Sequence, residues 1–242
     1  SLYDKSTKIG YFIRHKRCRG HRVLVVYDTT FLSSNGPSPN TRADKIRQWL
    51  KDNYIKYGIL YVLLIGDPSP FEDSAGEGDV PMKMCWPRYG ASWGQIEVPT
   101  DYYFADLTGN WDKDGDQRFG EYVDWDTNGG VDLSADVYVG RIPVYNKDHV
   151  QLDSILQKIM NYQNAFDIAW RKNALLLMSF VDAGYDGAAL AQEMTSGFLT
   201  TQGFSTWTLF QQGNGACGVD SSYVSDQELR GGTVVRDRWA AH

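Results

Sequence analysis

The sequence predicts an α/β protein, a mostly parallel sheet flanked by helices on both faces, and three observations carry that expectation. Apolar runs without alternation, "VLVVYD", "LYVLLIGD" and "NALLLMSFVD", recur along the chain, as strands buried on both faces require. Between them stand segments whose apolar residues fall at the helical period, as parallel crossovers demand. From Pro68 to Asp132 both patterns stop and the composition turns to Gly, Asp, Pro and Trp. Such a stretch is longer than an ordinary connection and reads as functional or metal-ordered.

In chain order, Lys5 to Arg19 places Ile9, Phe12 and Ile13 on one helical face, with Lys16, Arg17 and Arg19 in the last turn and Gly20 as the stop. The basic run "RHKRCRGHR" is thereby a dipole-complementing helix end; the nucleic-acid alternative lacks interleaved aromatics. Val23 to Asp28 reads as a buried strand. After "SSNGPSPN", Thr41 and Asp44 form a capping pair for a helix with Ile46, Trp49, Leu50, Tyr54 and Tyr57 inward and Gly58 at its end. Leu60 to Asp67 is the next strand.

Beyond the acidic interruption, "ADVYVGRIPV" reads as a strand and Lys147 to Ala169 as a long helix turning Leu152, Ile155, Leu156, Ile159, Tyr162 and Phe166 to the core. "NALLLMSFVD" is a further buried strand. Asp186 to Gln202 is a helix stopped by Gly203, "FSTWTLF" an alternating strand, "SSYVSDQELR" a short helix and "GTVVRDRW" a last strand. The sum is a sheet of about six strands with right-handed crossovers. Reacting groups are expected beyond the carboxyl ends of such strands, where Asp28, Asp67, Arg141, Asp182 and His242 stand.

The chain has 242 residues, 42% of them hydrophobic, enough to bury a sizeable core and too many for disorder. Its formal charge is -6, yet Pro99 to Asp136 alone holds nine Asp and one Glu against Lys113 and Arg118, which leaves the remainder slightly basic. The acidity therefore belongs to one site and is no general field. The three cysteines, Cys18, Cys85 and Cys217, show neither C-x-x-C nor His spacing for zinc, and their odd number argues against a closed disulfide framework. No apolar run reaches the roughly 18 residues of a membrane span, and no N-terminal signal segment is expected.

Within the acidic region, "NWDKDGDQRFGE" has calcium-loop spacing: Asn110 at position 1, Asp112 at 3, Asp114 at 5, Gly115 at 6, the Asp116 carbonyl at 7 and Glu121 at 12. Alternating acids send oxygens to one centre, Gly permits the turn, and Glu closes the shell. Asn at position 1 removes one charge and predicts weaker binding. The flanks "VPTDYYFAD" and "EYVDWDTNGG" lack a helical period, which disfavours a sensor that opens paired helices. The readings are a structural calcium clamp, a solvated acidic loop, or a catalytic metal, the last disfavoured because hydrolytic sites usually add His. Asp101, Asp106, Asp124 and Asp126 are candidate extra ligands.

On these residues the chain resembles the gingipain family of cysteine peptidases. The matching pieces are "YVLLIGD", "VPTDYYFADLTGNWDKDGDQRFGE", "DLSADVYVGRIPV" with its long helix, "LLLMSFVD" and "LRGGTVVRDRWAAH", from about Tyr11 to the end. The resemblance implies a caspase-like fold with a long calcium-binding insertion. It also implies a first subdomain over 1–145 carrying the acidic loop, and the start of a second, catalytic subdomain over 146–242. His242 stands at the position of the family's catalytic His, though Ala241 replaces the usual preceding Gly. Asp182 matches the acidic residue that orients that His. The nucleophilic Cys falls after the next strand, beyond this chain, so the fragment alone is expected to be inactive.

The resemblance further implies a secreted or cell-surface cysteine endopeptidase, stabilised by calcium and acting on protein or peptide substrates. The residues themselves give no expectation of a nucleic-acid partner or a membrane span, and the resemblance makes the rest of the parent chain a partner. Family members cut after basic residues; Asp186 and Glu193 are among the candidates for an acidic pocket residue. Other readings stay open. His242 can be a frayed terminus, Asp182 a turn or helix cap, and Cys217 in "GNGACG" a nucleophile ahead of a short helix. Gly213, Gly215 and Gly218, followed by Asp237, mimic a dinucleotide fingerprint. A non-catalytic, calcium-binding relative with a binding or assembly role is the remaining alternative.

Overall fold

A computed structural model describes residues 1–37, 39–70, 78–87, 97–121, 130–182, 185–211, 222–229 and 232–241, and it divides into two compact units, Ser1–Gln163 and Asn164–His242.

Unit 1 begins with a capped turn, α1 (Leu2–Lys5), and helix α2 (Ile9–Cys18). The basic residues at the end of α2 have protein partners: His15 and Lys16 meet the Gln163 side chain at 2.9 and 3.2 Å, and Arg17 donates to the Val23 carbonyl. Val23 to Asp28, expected to be a buried strand, is not one. Among the described residues its backbone joins no ladder, Leu24 and Tyr27 are exposed, and Asp28 starts the short helix α3 (Asp28–Phe31). An apolar run becomes a strand only where a neighbour offers its backbone.

Helix α4 (Arg42–Tyr57) has the expected capping box, Thr41 with Asp44, and ends at Gly58 in the left-handed region. Strand β1 (Tyr61–Gly66) comes next, then the short antiparallel pair β2 (Lys83–Cys85) and β3 (Val98–Thr100), and then β4 (Tyr138–Pro143). β1 and β4 pair in parallel from Tyr61 opposite Tyr138 to Gly66 opposite Pro143. Their carboxyl halves are the buried ones, around Leu64 and Ile142, while Tyr61 and Tyr138 stack on each other at the exposed end.

Helix α5 (His149–Asn164) packs Leu152, Leu156 and Met160 against Phe12, Ile142 and Val144. It ends before Phe166, which is fully exposed, and Tyr162 also faces out. Residues 149–163 thus pack with unit 1. A larger cluster joins Ile46 and Leu50 of α4 and Leu64 of β1 to Tyr103, Phe104, Trp111 and Phe119 from the acidic region.

Unit 2 contains β5 (Asn173–Met178), the hairpin β6 (Phe180–Asp182) with β7 (Tyr185–Asp186), helix α6 (Gly187–Met194) continued by a π-helical turn to Leu199, β8 (Ser205–Phe210), β9 (Gln227–Glu228) and α7 (Gly232–Ala241). β5, β8 and β9 form a parallel sheet. Asp186 caps α6 by accepting from the Ala188 N–H at 2.9 Å.

Two expectations for unit 2 are overturned. "SSYVSDQELR" gives no helix at Gln227–Glu228, because the Asp226 carboxylate binds the N–H and hydroxyl of Thr208, both at 2.8 Å, and lays the chain along β8. "GTVVRDRW" lies in a helix: the apolar run is too short for its period to distinguish strand from helix, and tertiary context overrides β propensity.

One packing contact between elements carries a pH signature. The Asp153 carboxylate of α5 accepts from Ser6 and Thr7 hydroxyls and from the Thr7 and Lys8 backbone, at 2.5, 2.7, 2.9 and 3.1 Å, closing the start of α2. Burial pushes its pKa up, but these bonds outweigh burial and hold it at about 2. An unfolded Asp titrates near 3.9, so this stabilisation is complete above that value and is lost as pH falls toward 2. Asp153→Asn should melt lower than the parent at neutral pH, with the difference closing between about pH 4 and pH 2 in thermal melts followed by circular dichroism.

Candidate functional site

The acidic loop hangs from a buried polar junction. Asp106 is fully buried, and its carboxylate accepts from the Gly109 N–H at 2.7 Å, the Trp111 indole N–H at 2.9 Å and the Asp132 N–H at 3.4 Å. Arg47 of α4, also buried, donates from Nε and Nη2 to the Asp106 carbonyl and from Nη2 to the Gly109 carbonyl, at 3.1, 2.7 and 2.8 Å. Gly109 is tightly enclosed: a Cβ there would stand 2.3 Å from Asp106 Oδ2. The far end of the loop returns to its start, since the Gly120 N–H donates to the Trp111 carbonyl at 2.7 Å.

Between these ends, Asp112, Asp114 and Asp116 each bring a carboxylate oxygen within 4.8 Å of the other two. Oxygens around one calcium at about 2.3–2.6 Å lie at most about 5 Å apart, so this triad fits the ion. Asn110 accepts from the Asp112 N–H, Asp112 from the Gln117 N–H and Asp116 from the Arg118 N–H, at 3.1, 3.1 and 2.8 Å. Gly115 takes the positive φ, +78°, that the tight turn needs. Glu121 is mostly buried and is not gathered with the triad; its Oε1 lies 3.9 Å from the Arg118 guanidinium, which also approaches Asp116 at 3.8 Å. Donors of this type, all oxygen and mostly charged, suit calcium and not zinc.

The other acids named from the sequence have different work. Asp101 is held by Arg141 in a bidentate pair, at 2.7 and 2.6 Å, while Arg141 also donates to the Val80 carbonyl at 2.6 Å. Arg141 is therefore a clamp tying β4 to two loops. Asp67 accepts from the Ser69 N–H in a turn, and Asp28 lies 3.6 Å from Arg42. Asp124 and Asp126 lie outside the described residues, as do His242, Cys217, Gly213, Gly215 and Gly218. Asp182 ends β6 opposite Tyr185. Asp237 sits inside α7 beside Arg236, 2.9 Å away, and not at a strand end where a ribose-binding acid belongs. Cys85 is buried, which pushes its thiol pKa up, and the nearby Glu97 adds to that.

Sequence reasoning missed the group that supports the loop. Asp44, read only as a capping residue, is fully buried, and its Oδ1 accepts from Lys83 Nζ at 2.6 Å and from the Tyr103 hydroxyl at 2.8 Å, while Oδ2 accepts from Thr41. Lys83 stands 3.5 Å from the centre of the Phe119 ring, and Arg47 covers the Tyr103 ring at 4.6 Å. Burial pushes the Lys83 pKa down, and the Asp44 charge opposes it; burial and Asp44 together push the Tyr103 hydroxyl well above its usual range. The available signal was two charged residues, Asp44 and Arg47, at the same helical spacing as Ala43, Ile46 and Leu50.

A model of peptidase family C25 matches residues 4–235. No curated protein matches the chain. Among solved structures, the Arg-specific cysteine proteinase gingipain R is similar, with 18% identity, a TM-score of 0.52 and coverage of 88% of this chain and 46% of that one. The chain spans about half the length of that relative. The likeness shows the fold: parallel sheets flanked by helices, the caspase-like arrangement.

The buried ion pair has a separable consequence. Lys83→Met should cost about 3–5 kcal/mol by leaving the Asp44 charge unpaired, and the double variant Asp44→Asn/Lys83→Met should lose less than the two singles together, as read from urea melts.

Proposed function

The chain belongs to peptidase family C25, and on that premise we propose that it is part of a secreted cysteine endopeptidase, stabilised by calcium in the Asn110–Glu121 loop. The observation that carries the reading is the family match from residue 4 to 235, supported by the likeness to gingipain R in fold.

In this reading His242 is the general base and imidazolium partner, Asp182 orients it, and the nucleophile is a Cys supplied by sequence after His242. The thiolate attacks the scissile carbonyl carbon, the imidazolium gives its proton to the departing amine, and water hydrolyses the thioester. Asp182 lies in the short hairpin directly after β5, near the carboxyl end of a parallel sheet, where such a residue is useful. At 18% identity the arginine preference of gingipain R stays with that protein.

Calcium, when bound, supplies charge neutralisation and cross-linking within the loop, and no step of the hydrolysis is assigned to it. The triad of Asp112, Asp114 and Asp116 supports this role; in this reading Asn110 and Glu121, the latter now beside Arg118, are the further ligands that the loop spacing names. Asn at position 1 suits the moderate affinity that extracellular, millimolar calcium would saturate. That agreement is the reason to place the protein outside the cell or at its surface.

Two measurements decide. Excess chelator should lower the melting temperature and added calcium, not zinc, should restore it; an unchanged melt removes the calcium reading. In the parent protein, a thiol blocker or His242→Ala should abolish hydrolysis of a denatured protein substrate. Hydrolysis that survives both removes the Cys/His mechanism, and a parent sequence without Cys after His242 favours a binding or assembly role.

A further inference from the structure

We infer that Arg47 is the positioning residue of the calcium loop, a side chain that never touches the ion but sets how tightly the loop binds it. This role presupposes the calcium site proposed above. Arg47 projects from α4, outside the loop in sequence, and nothing in the calcium-loop spacing points to it.

The geometry is specific to the junction with loop position 1. Gly109 immediately precedes Asn110, and both its polar groups are taken: its N–H by the Asp106 carboxylate at 2.7 Å and its carbonyl by Arg47 Nη2 at 2.8 Å. Asp106 is in turn held at its carbonyl by Nε and Nη2 of the same guanidinium. One planar, permanently charged fork thus fixes two carbonyls three residues apart, which an ammonium, a point charge, cannot do in the same way. The peptide from which Asn110 emerges is therefore set before any ion arrives.

The exit of the loop is tied to the same interior. The Trp86 N–H donates to the Phe119 carbonyl at 2.9 Å, and the Lys83 ammonium lies against the Phe119 ring. Lys83 is paired with Asp44, one helical turn before Arg47 on α4. Helix α4 and its partners therefore hold both ends of the loop. Pre-organisation of this kind raises affinity by removing the ordering cost of binding. It matters more here because Asn110 leaves the loop one charge short of a full acidic set.

The test is a calcium titration by calorimetry and a terbium titration followed by luminescence sensitised through Trp111, on the parent chain and three variants. Arg47→Lys keeps the charge and loses the fork; Gly109→Ala disturbs the same junction from the other side. Leu156→Ala, in the separate cluster around α5, lowers stability without approaching the loop. Arg47→Lys and Gly109→Ala should each weaken calcium binding by about tenfold or more, with folding in saturating calcium checked by near-ultraviolet circular dichroism. Leu156→Ala should melt lower yet bind calcium within about twofold of the parent. Parent-like affinity in Arg47→Lys overturns the inference, as does equal weakening in Leu156→Ala. A parent chain that binds no calcium instead overturns the calcium reading, a distinct result.

Discussion

A single buried carboxylate, Asp44, organises the first unit. It closes the first turn of α4 through Thr41, neutralises Lys83 and satisfies the Tyr103 hydroxyl, so one side chain ties a helix start, a short strand and the acidic region together. Taking charges out of water is costly unless every lone pair and proton finds a partner. Here the partners are in place: four hydrogen bonds reach the two carboxylate oxygens, and aromatic rings flank the cations. The rings of Tyr103, Trp111 and Phe119 meet edge to face around this centre, giving the acidic segment a packed root in place of a free one.

The surroundings of the acidic residues sort them into two kinds of work. Asp101, Asp106 and Asp136 are committed to protein donors: a guanidinium, an indole and backbone N–H groups. Among the described residues, only the alternating triad in the loop leaves its oxygens converging on a common point. The triad also accepts backbone N–H groups within the loop, but its carboxylates face one another as well, and a cation between them relieves that repulsion. The local charge excess seen in the sequence is therefore smaller, as a metal-directed field, than its residue count implied.

Much of the architecture was legible. Thr41, Asp44 and Gly58 marked both ends of α4, the alternation-free runs marked β1 and β5, and the loop spacing brought together Asp112, Asp114 and Asp116. Local chemistry carries such signals, since caps, turns and Asx bonds depend on residues within a few positions. What failed depended on partners distant in sequence. Val23 to Asp28 has strand composition but no ladder, Gln227 and Glu228 joined a sheet because Asp226 found Thr208, and Arg47 went inward because two carbonyls from another segment needed donors. No periodicity within one segment encodes those meetings.

The parallel pairing of β1 with β4 has a kinetic side. A helix usually makes such a crossover; here the connection runs from Asp67 to Val137, and its described residues hold β2, β3 and the acidic loop. Bringing the two strands together closes a long loop, and non-local pairings of this kind slow folding. Loop-closure entropy over that stretch weighs against early pairing of β1 with β4. A slower closure lengthens the time for which the apolar strands β1 and β4 stay open to wrong partners.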